Sequence, residues 1–291
     1  LPGYLSMTQT YDPATGTAST YGALNSFSML CWGLGYFGMP HILLRFMAIE
    51  DEKKLKLSRR VASTWVVISL FVALMIGVVG LGMTKAGNLA FLEGSTSETI
   101  IVRIADLLSQ NGILCAVLAG LILAGILAST MSTADSQLLA ASSSVSENLI
   151  QGVFGKKMTV KQSMTCARLT LLGISIIGVF LARDPNSSVF NIVSFAWAGF
   201  GASFGPVVLF ALFWRRTNRY GAIAGMFAGG VMVFVWKHLI APMGGLWDIY
   251  ELMPAFVIAC LVILIVSVLT PAPSEEITKE FDKVKALNAE E

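Results

Sequence analysis

Trp32-Gly33-Leu34-Gly35-Tyr36-Phe37-Gly38-Met39-Pro40 sits in the middle of an apolar run that extends from about residue 22 to 49. Within it, Gly33 to Gly38 spells the formal G-x-G-x-x-G pattern of a dinucleotide-binding turn. Context rejects that reading: no strand precedes it, no amphipathic helix follows, and the run has the length of a membrane span. Three glycines and a proline between Gly33 and Pro40 weaken helical hydrogen bonding at mid-span. Non-helical backbone at that depth survives only where it is buried in protein or lines a cavity. Two structures satisfy this. One is a broken helix that exposes carbonyls and half-helix ends to ions and solutes. The other is a kinked packing helix whose glycines let a neighbour approach closely. The segment alone does not separate them. Trp32, Tyr36 and Pro40 stand at i, i+4 and i+8, on one stripe if the segment is helical. Their rings would flank a small solute with an apolar body, or simply pack in a core.

Working outward, the whole chain has the same character. Its 291 residues are 55% hydrophobic and 13% charged, and the mean hydropathy is +0.72. Soluble domains lie near 45–50% apolar and about 25% charged, which excludes a free-standing soluble enzyme. A net charge of +2 is no electrostatic footprint for nucleic acid, so no nucleic-acid partner is expected. The four cysteines, Cys31, Cys115, Cys166 and Cys260, form no C-x-x-C pair, so neither zinc nor redox chemistry is signalled. His41 and His238 are single histidines without ligand spacing. No metal other than an alkali ion is expected.

Further apolar runs lie at about 61–83, 112–150, 165–182, 189–214, 220–240 and 250–270, which with the first predicts about seven spans across a lipid bilayer. A charged stretch, Glu50 to Arg60, separates the first two. Residues 84–111 hold a short amphipathic segment near Glu98–Ser109. The run 112–150 is too long for one crossing at 1.5 Å per residue, and reads as a helix that crosses and then projects beyond the bilayer. If the first span ends in the cytoplasm, sixteen of the twenty Lys and Arg residues fall inside, and only Lys85, Arg103, Arg183 and Lys237 outside. That bias predicts an outside start and a cytoplasmic C-terminus. Residues 1–21 then read as an extracellular loop, 22–270 as the membrane domain, and 271–291 as a cytoplasmic tail with apolar spacing at Ile277, Phe281, Val284 and Leu287. The opening Leu1-Pro2-Gly3, without an initiator Met, suggests a piece of something longer.

The second chemical signal is Ala128-Ser129-Thr130-Met131-Ser132-Thr133-Ala134-Asp135-Ser136-Gln137. Seven of these ten residues are polar inside an otherwise apolar helix, and each costs free energy there unless it finds partners. Hard cations take oxygen ligands from hydroxyls, carbonyls and carboxylates. Ser129, Ser132 and Ser136 share one helical face, with Thr133 and Asp135 flanking it. A sodium ion would be held by the Ser132 and Thr133 hydroxyls and the Ser129 carbonyl. The plain alternative is that the hydroxyls bond back to carbonyls one turn earlier, which is the expectation for Ser142, Ser143, Ser144 and Ser146. Asp135, the acid well inside a span, joins a cation site with Ser136, relays a proton, or pairs with another segment. Gly199, Gly201 and Gly205 with Pro206 are expected to weaken the run 189–214 and to line a pathway. Gly221, Gly225 and Gly229 form a small-xxx-small packing face.

Three strings in order, Trp32 to Ile42, Met131 to Leu139 and Ala196 to Pro206, closely resemble the sodium:solute symporter family. The resemblance implies an all-α polytopic membrane protein with a LeuT-like core of ten helices in two inverted repeats. This chain would hold the second repeat plus two C-terminal helices, and would need the missing N-terminal repeat as its partner. It implies that Ser132 and Thr133 supply hydroxyl ligands to sodium and that Ser129 supplies its carbonyl. It places Trp32, Tyr36 and Pro40 at the solute site of the broken helix.

The activity so implied is secondary active transport at the cell membrane: Na+ as the coupling ion, and uptake of proline or a similar small amino acid by alternating access. Proton coupling through Asp135 is a variant. A reading from another class is a symporter-like sensor domain of a receptor kinase. A membrane enzyme is not expected, because no G-x-S-x-G, no H-E-x-x-H and no paired intramembrane acids occur.

Overall fold

A computed structural model describes residues 2–12, 15–183 and 188–287. In the stretch expected to be loop, β1 (Gln9–Asp12) pairs antiparallel with β2 (Thr17–Thr20), with Gln9 opposite Thr20. Ten α-helices follow among the described residues: α1 (Ala23–Leu30), α2 (Pro40–Met47), α3 (Lys54–Lys85), α4 (Ile100–Ser109), α5 (Ile113–Ser143), α6 (Val160–Leu181), α7 (Val189–Phe213), α8 (Arg219–Val235), α9 (Leu252–Leu269) and α10 (Glu275–Leu287). Six helical segments are long and apolar enough to cross a membrane, or seven if the bent α1–α2 pair is one span. The chain is an all-α, multi-pass membrane protein.

The first span is broken. Between α1 and α2, Cys31–Gly38 winds as a 3₁₀-helix of eight residues, twice the usual length of such a run. Pro40 accounts for where it ends. A proline drives the preceding residue out of the helical region, and Met39 is extended, with φ −80° and ψ 114°. The axis bends by 52° there.

Two other boundaries differ from expectation. α3 begins at Lys54 and absorbs most of the charged stretch expected to separate two spans, because Lys, Leu and Arg are good helix formers and neither Gly nor Pro occurs between Lys54 and Ile76. The run expected to be weakened by glycines and Pro206 is one unbroken helix, α7. As anticipated, α5 continues past its apolar part, here as a wide π-type helix over Ser144–Val153.

The chain forms two compact units. The first comprises residues up to Leu43 together with Val193 onward. Its core joins Met39, Trp197, Ala198, Ala202, Val233, Leu252, Ala255 and Phe256. α8 and α9 pack through the expected small-residue face. A Cβ on Gly221 would overlap the Ser267 hydroxyl, one on Gly225 the Ile263 side chain, and one on Gly229 the Ala202 carbonyl. That carbonyl is the acceptor which Pro206 deprives of its helical N–H. At the other end of α8, Asn218 caps the helix by accepting from Gly221 N–H at 2.8 Å. Its Nδ2 donates to Thr270 Oγ1 at 2.7 Å and to the Pro271 carbonyl at 2.8 Å. Arg215 holds the tail helix α10 through Asp282, with donors at 2.8 and 2.7 Å. The Arg215 guanidinium keeps the Asp282 carboxyl below the usual carboxylate range.

The second unit comprises Leu44–Ile192. α4 lies along α5 with Ala105 and Ala119 buried, and Gly80 of α3 leaves room for Ile100 of α4. Much of the remaining apolar surface of α3, α5 and α6 is exposed, including Trp65, Phe71, Leu121 and Phe180. Soluble monomers do not tolerate so large an apolar surface; acyl chains do. Glu98, just before α4, caps the first turn of α7. Its carboxylate accepts from the Ser188 hydroxyl at 2.7 Å and from the Val189 and Phe190 N–H groups at 3.0 and 3.3 Å.

Candidate functional site

In the first unit the break creates backbone groups that cannot bond along the helix, and aromatic side chains from distant elements meet them. Trp197 of α7 donates its indole N–H to the Trp32 carbonyl at 3.0 Å. The two indoles stack at 5.3 Å with an interplanar angle of 16°. Tyr36 meets Trp197 edge-on at 4.8 Å and keeps 51% of its surface exposed. Trp32 also stacks on Tyr250, at 5.8 Å and 14°. Such near-parallel pairs add to the stabilisation from burial alone.

The glycines explain how Trp197 gets so close. A Cβ on Gly35 would overlap its indole. A Cβ on Gly38 would lie 2.5 Å from the Phe200 carbonyl oxygen and 2.7 Å from Gly205 N, and one on Gly201 would lie 2.7 Å from Gly35 Cα. Gly33 has open space instead. Both sequence alternatives therefore hold: the helix is broken, and two of its three glycines serve close packing. Gly201 and Gly205 are likewise buried against the broken segment, so the expectation that they line a pathway is corrected.

Tyr250 precedes α9. Its hydroxyl donates to the Ser194 carbonyl at 2.6 Å, and its N–H donates to the buried Ser28 hydroxyl of α1 at 2.6 Å. Burial, and then the charge of Glu251, push the Tyr250 hydroxyl well above its ordinary pKa, so it stays a donor. The buried Glu251 pairs with Lys237 at 3.2 Å, and that ammonium lies 4.5 Å from the Phe195 ring centroid. Of the three residues anticipated at a solute site, Trp32 and Tyr36 are joined through Trp197. Pro40 stands half-buried at the head of α2, where it sets the break.

The hydroxyl run lies in the second unit, in the second half of α5. Ser129, Ser132, Thr133 and Asp135 are exposed and Ser136 is half-buried. Thr133 Oγ1 donates to the Ser129 carbonyl at 3.3 Å, and Ser136 Oγ donates to the Ser132 carbonyl at 3.0 Å. These are the back-bonds of the plain alternative. They leave the lone pairs of the Thr133 hydroxyl available. Two oxygens 3.3 Å apart fit one hard cation at ligand distances of about 2.4 Å. Ser132 Oγ and the Asp135 carboxylate have no hydrogen-bond or ion-pair partner among the described residues. Farther along, Ser142, Ser144 and Ser146 bond back to Leu139, Ala140 and Ser143, as expected.

Sequence reasoning missed Tyr250, Ser28 and the Lys237–Glu251 pair. No local signal marks them: Tyr250 is a single ring in a connector, and its partner Ser28 is 222 residues away. Trp197 carried a signal, since it stands one turn before Gly201 in a glycine-rich helix.

The model of the sodium:solute symporter family matches residues 6–229. The high-affinity proline transporter PutP of Bacillus subtilis is 39% identical over 260 residues, which covers 89% of this chain and 52% of that protein. The sodium/proline symporter of Haemophilus influenzae is 40% identical over 90% of this chain and 51% of its own length. That of Salmonella typhimurium is 39% identical over 89% and 50%. The chain thus spans about half the length of the curated relatives it matches. Their names are those of transporters and not of enzymes. No solved structure matches the chain.

Proposed function

The chain belongs to the sodium:solute symporter family, and from that premise we propose that it works in Na+-coupled uptake of proline or a similar small amino acid by alternating access. The observation that carries the reading is the break itself. A span interrupted by eight residues of 3₁₀-helix and a 52° bend costs helical hydrogen bonds that a merely anchoring helix keeps. Such breaks are how transporters present backbone to a solute. Trp32, Tyr36 and Pro40 are the solute-side residues in this reading. On α5, Ser132 and Thr133 give hydroxyl oxygens to the sodium ion, and Ser129 gives its carbonyl. In this reading the chain holds the second of two inverted repeats plus two C-terminal helices, in the cell membrane, with residues 1–21 outside and residues 271–291 in the cytoplasm. The skew of Lys and Arg towards one side supports that orientation.

Labelled-proline uptake into vesicles holding the intact gene product tests this. An inward Na+ gradient is expected to accelerate uptake at least tenfold over a K+ gradient. Equal uptake in both removes sodium coupling. The Asp135 carboxylate, unpaired among the described residues, supports a proton-coupled variant, in which a pH gradient alone drives uptake and Asp135→Asn abolishes it.

A further inference from the structure

We propose that Tyr250, at the entry to α9, is a positioning residue that sets the attitude of Trp32 and thereby the affinity for solute. The proposal rests on the reading above that Trp32 faces the solute. Trp32 lies in the 3₁₀ segment, next to Gly33. Two aromatic planes stack on its ring, Trp197 at 5.3 Å and Tyr250 at 5.8 Å. Trp197 has a second role, since it also satisfies the Trp32 carbonyl. Tyr250 meets Trp32 ring to ring.

Tyr250 is itself held at three points. Its hydroxyl is tied to Ser194 of α7 and its amide to Ser28 of α1. The next residue, Glu251, is pinned by Lys237, just past the end of α8. The connector before α9 therefore bridges the helix that precedes the break and the helix that packs against it. This gives the last two spans a part in solute recognition.

The test is the proline dependence of initial uptake at saturating Na+, normalised to transporter in the membrane. Tyr250→Leu, which keeps bulk but not the plane, is expected to raise the apparent KM three- to tenfold with Vmax changed less than twofold. Tyr250→Phe, which keeps the plane and loses only the Ser194 bond, should stay within twofold of wild type in both. In a Trp32→Ala background, Tyr250→Leu should add nothing. An unchanged KM, a fall in Vmax alone, or an equal KM shift with Trp32 already removed overturns the proposal. A readout independent of transport is tryptophan emission of the purified intact protein. Tyr250→Leu should shift it, and the shift should vanish in the Trp32→Ala background. That pattern with an unaffected KM in Trp32→Ala would sink the solute-site reading and leave the stack standing. No shift would sink the stack.

Discussion

The broken first span and the hydroxyl-rich part of α5 both place polar groups at membrane depth, but they satisfy them in opposite ways. At the break, partners come from far along the chain: Trp197 to Trp32, Tyr250 to Ser194 and Ser28. On α5 they come from one turn away, Thr133 to Ser129 and Ser136 to Ser132. The first region is closed by tertiary packing and leaves little unspent. In the second, among the described residues, the Thr133 and Ser136 hydroxyls bond only within their own helix, and their lone pairs remain available to an ion. In the proposed function the aromatic region serves the solute and the oxygen-rich strip the cation.

The contrast breaks first at Gly38. A Cβ there meets backbone of Phe200 and Gly205, which cannot swing aside as a side chain can. Gly38→Ala should therefore destabilise by overpacking, about 1–3 kcal/mol, and lower the amount of folded protein recovered from membranes. Gly33→Ala, which meets open space, should leave recovery near wild type. Equal recovery of the two would mean that the close approach is not what holds the break.

A smaller effect sharpens the same contrast at the start of α7, where again a distant group closes backbone donors. The Ser188 hydroxyl, then the Phe190 and Val189 amides, hold the Glu98 carboxyl below its ordinary pKa. A depressed folded-state pKa means the cap is at full strength above the ordinary glutamate value, near 4.3, and fades as pH falls through the depressed value. Amide exchange at Val189 and Phe190, corrected for its intrinsic pH dependence, should therefore rise on acidification. In Glu98→Gln it should be high at every pH. Exchange that ignores both pH and substitution would contradict the capping role.

Much of this was legible in the sequence because the signals are local. Hydropathy adds along a run, so the spans could be read directly. Pro40 and the three glycines act locally, so the weak stretch of the first span could be read, though not whether it breaks or only kinks. The back-bonds of Ser142, Ser144 and Ser146 need only their own helix. What escaped depended on distance or on balance. Tyr250 gains its meaning from Ser28, Ser194 and Trp32, none near it in sequence. α7 runs unbroken through Pro206, with Gly229 lying against the freed Ala202 carbonyl, a neighbour that no inspection of residues 189–214 reveals. The start of α3 was misplaced because Lys and Arg signal solvent and helix equally well. The β1–β2 hairpin was missed because two four-residue polar strands carry no alternation.

The central claim is that a sodium ion is held by the hydroxyls of α5. The measurement that bears on it most directly is the Na+ activation curve of proline uptake by the intact gene product carrying Ser132→Ala or Thr133→Ala. Ser144→Ala serves as the reference, because it lies about three turns farther along and outside the proposed ligand set. The expected result is a rise of about tenfold in the Na+ concentration for half-activation in the first two, a difference of about 1.4 kcal/mol in ion binding, with Ser144→Ala unchanged. Half-activation at the wild-type concentration in Ser132→Ala and Thr133→Ala would contradict the account.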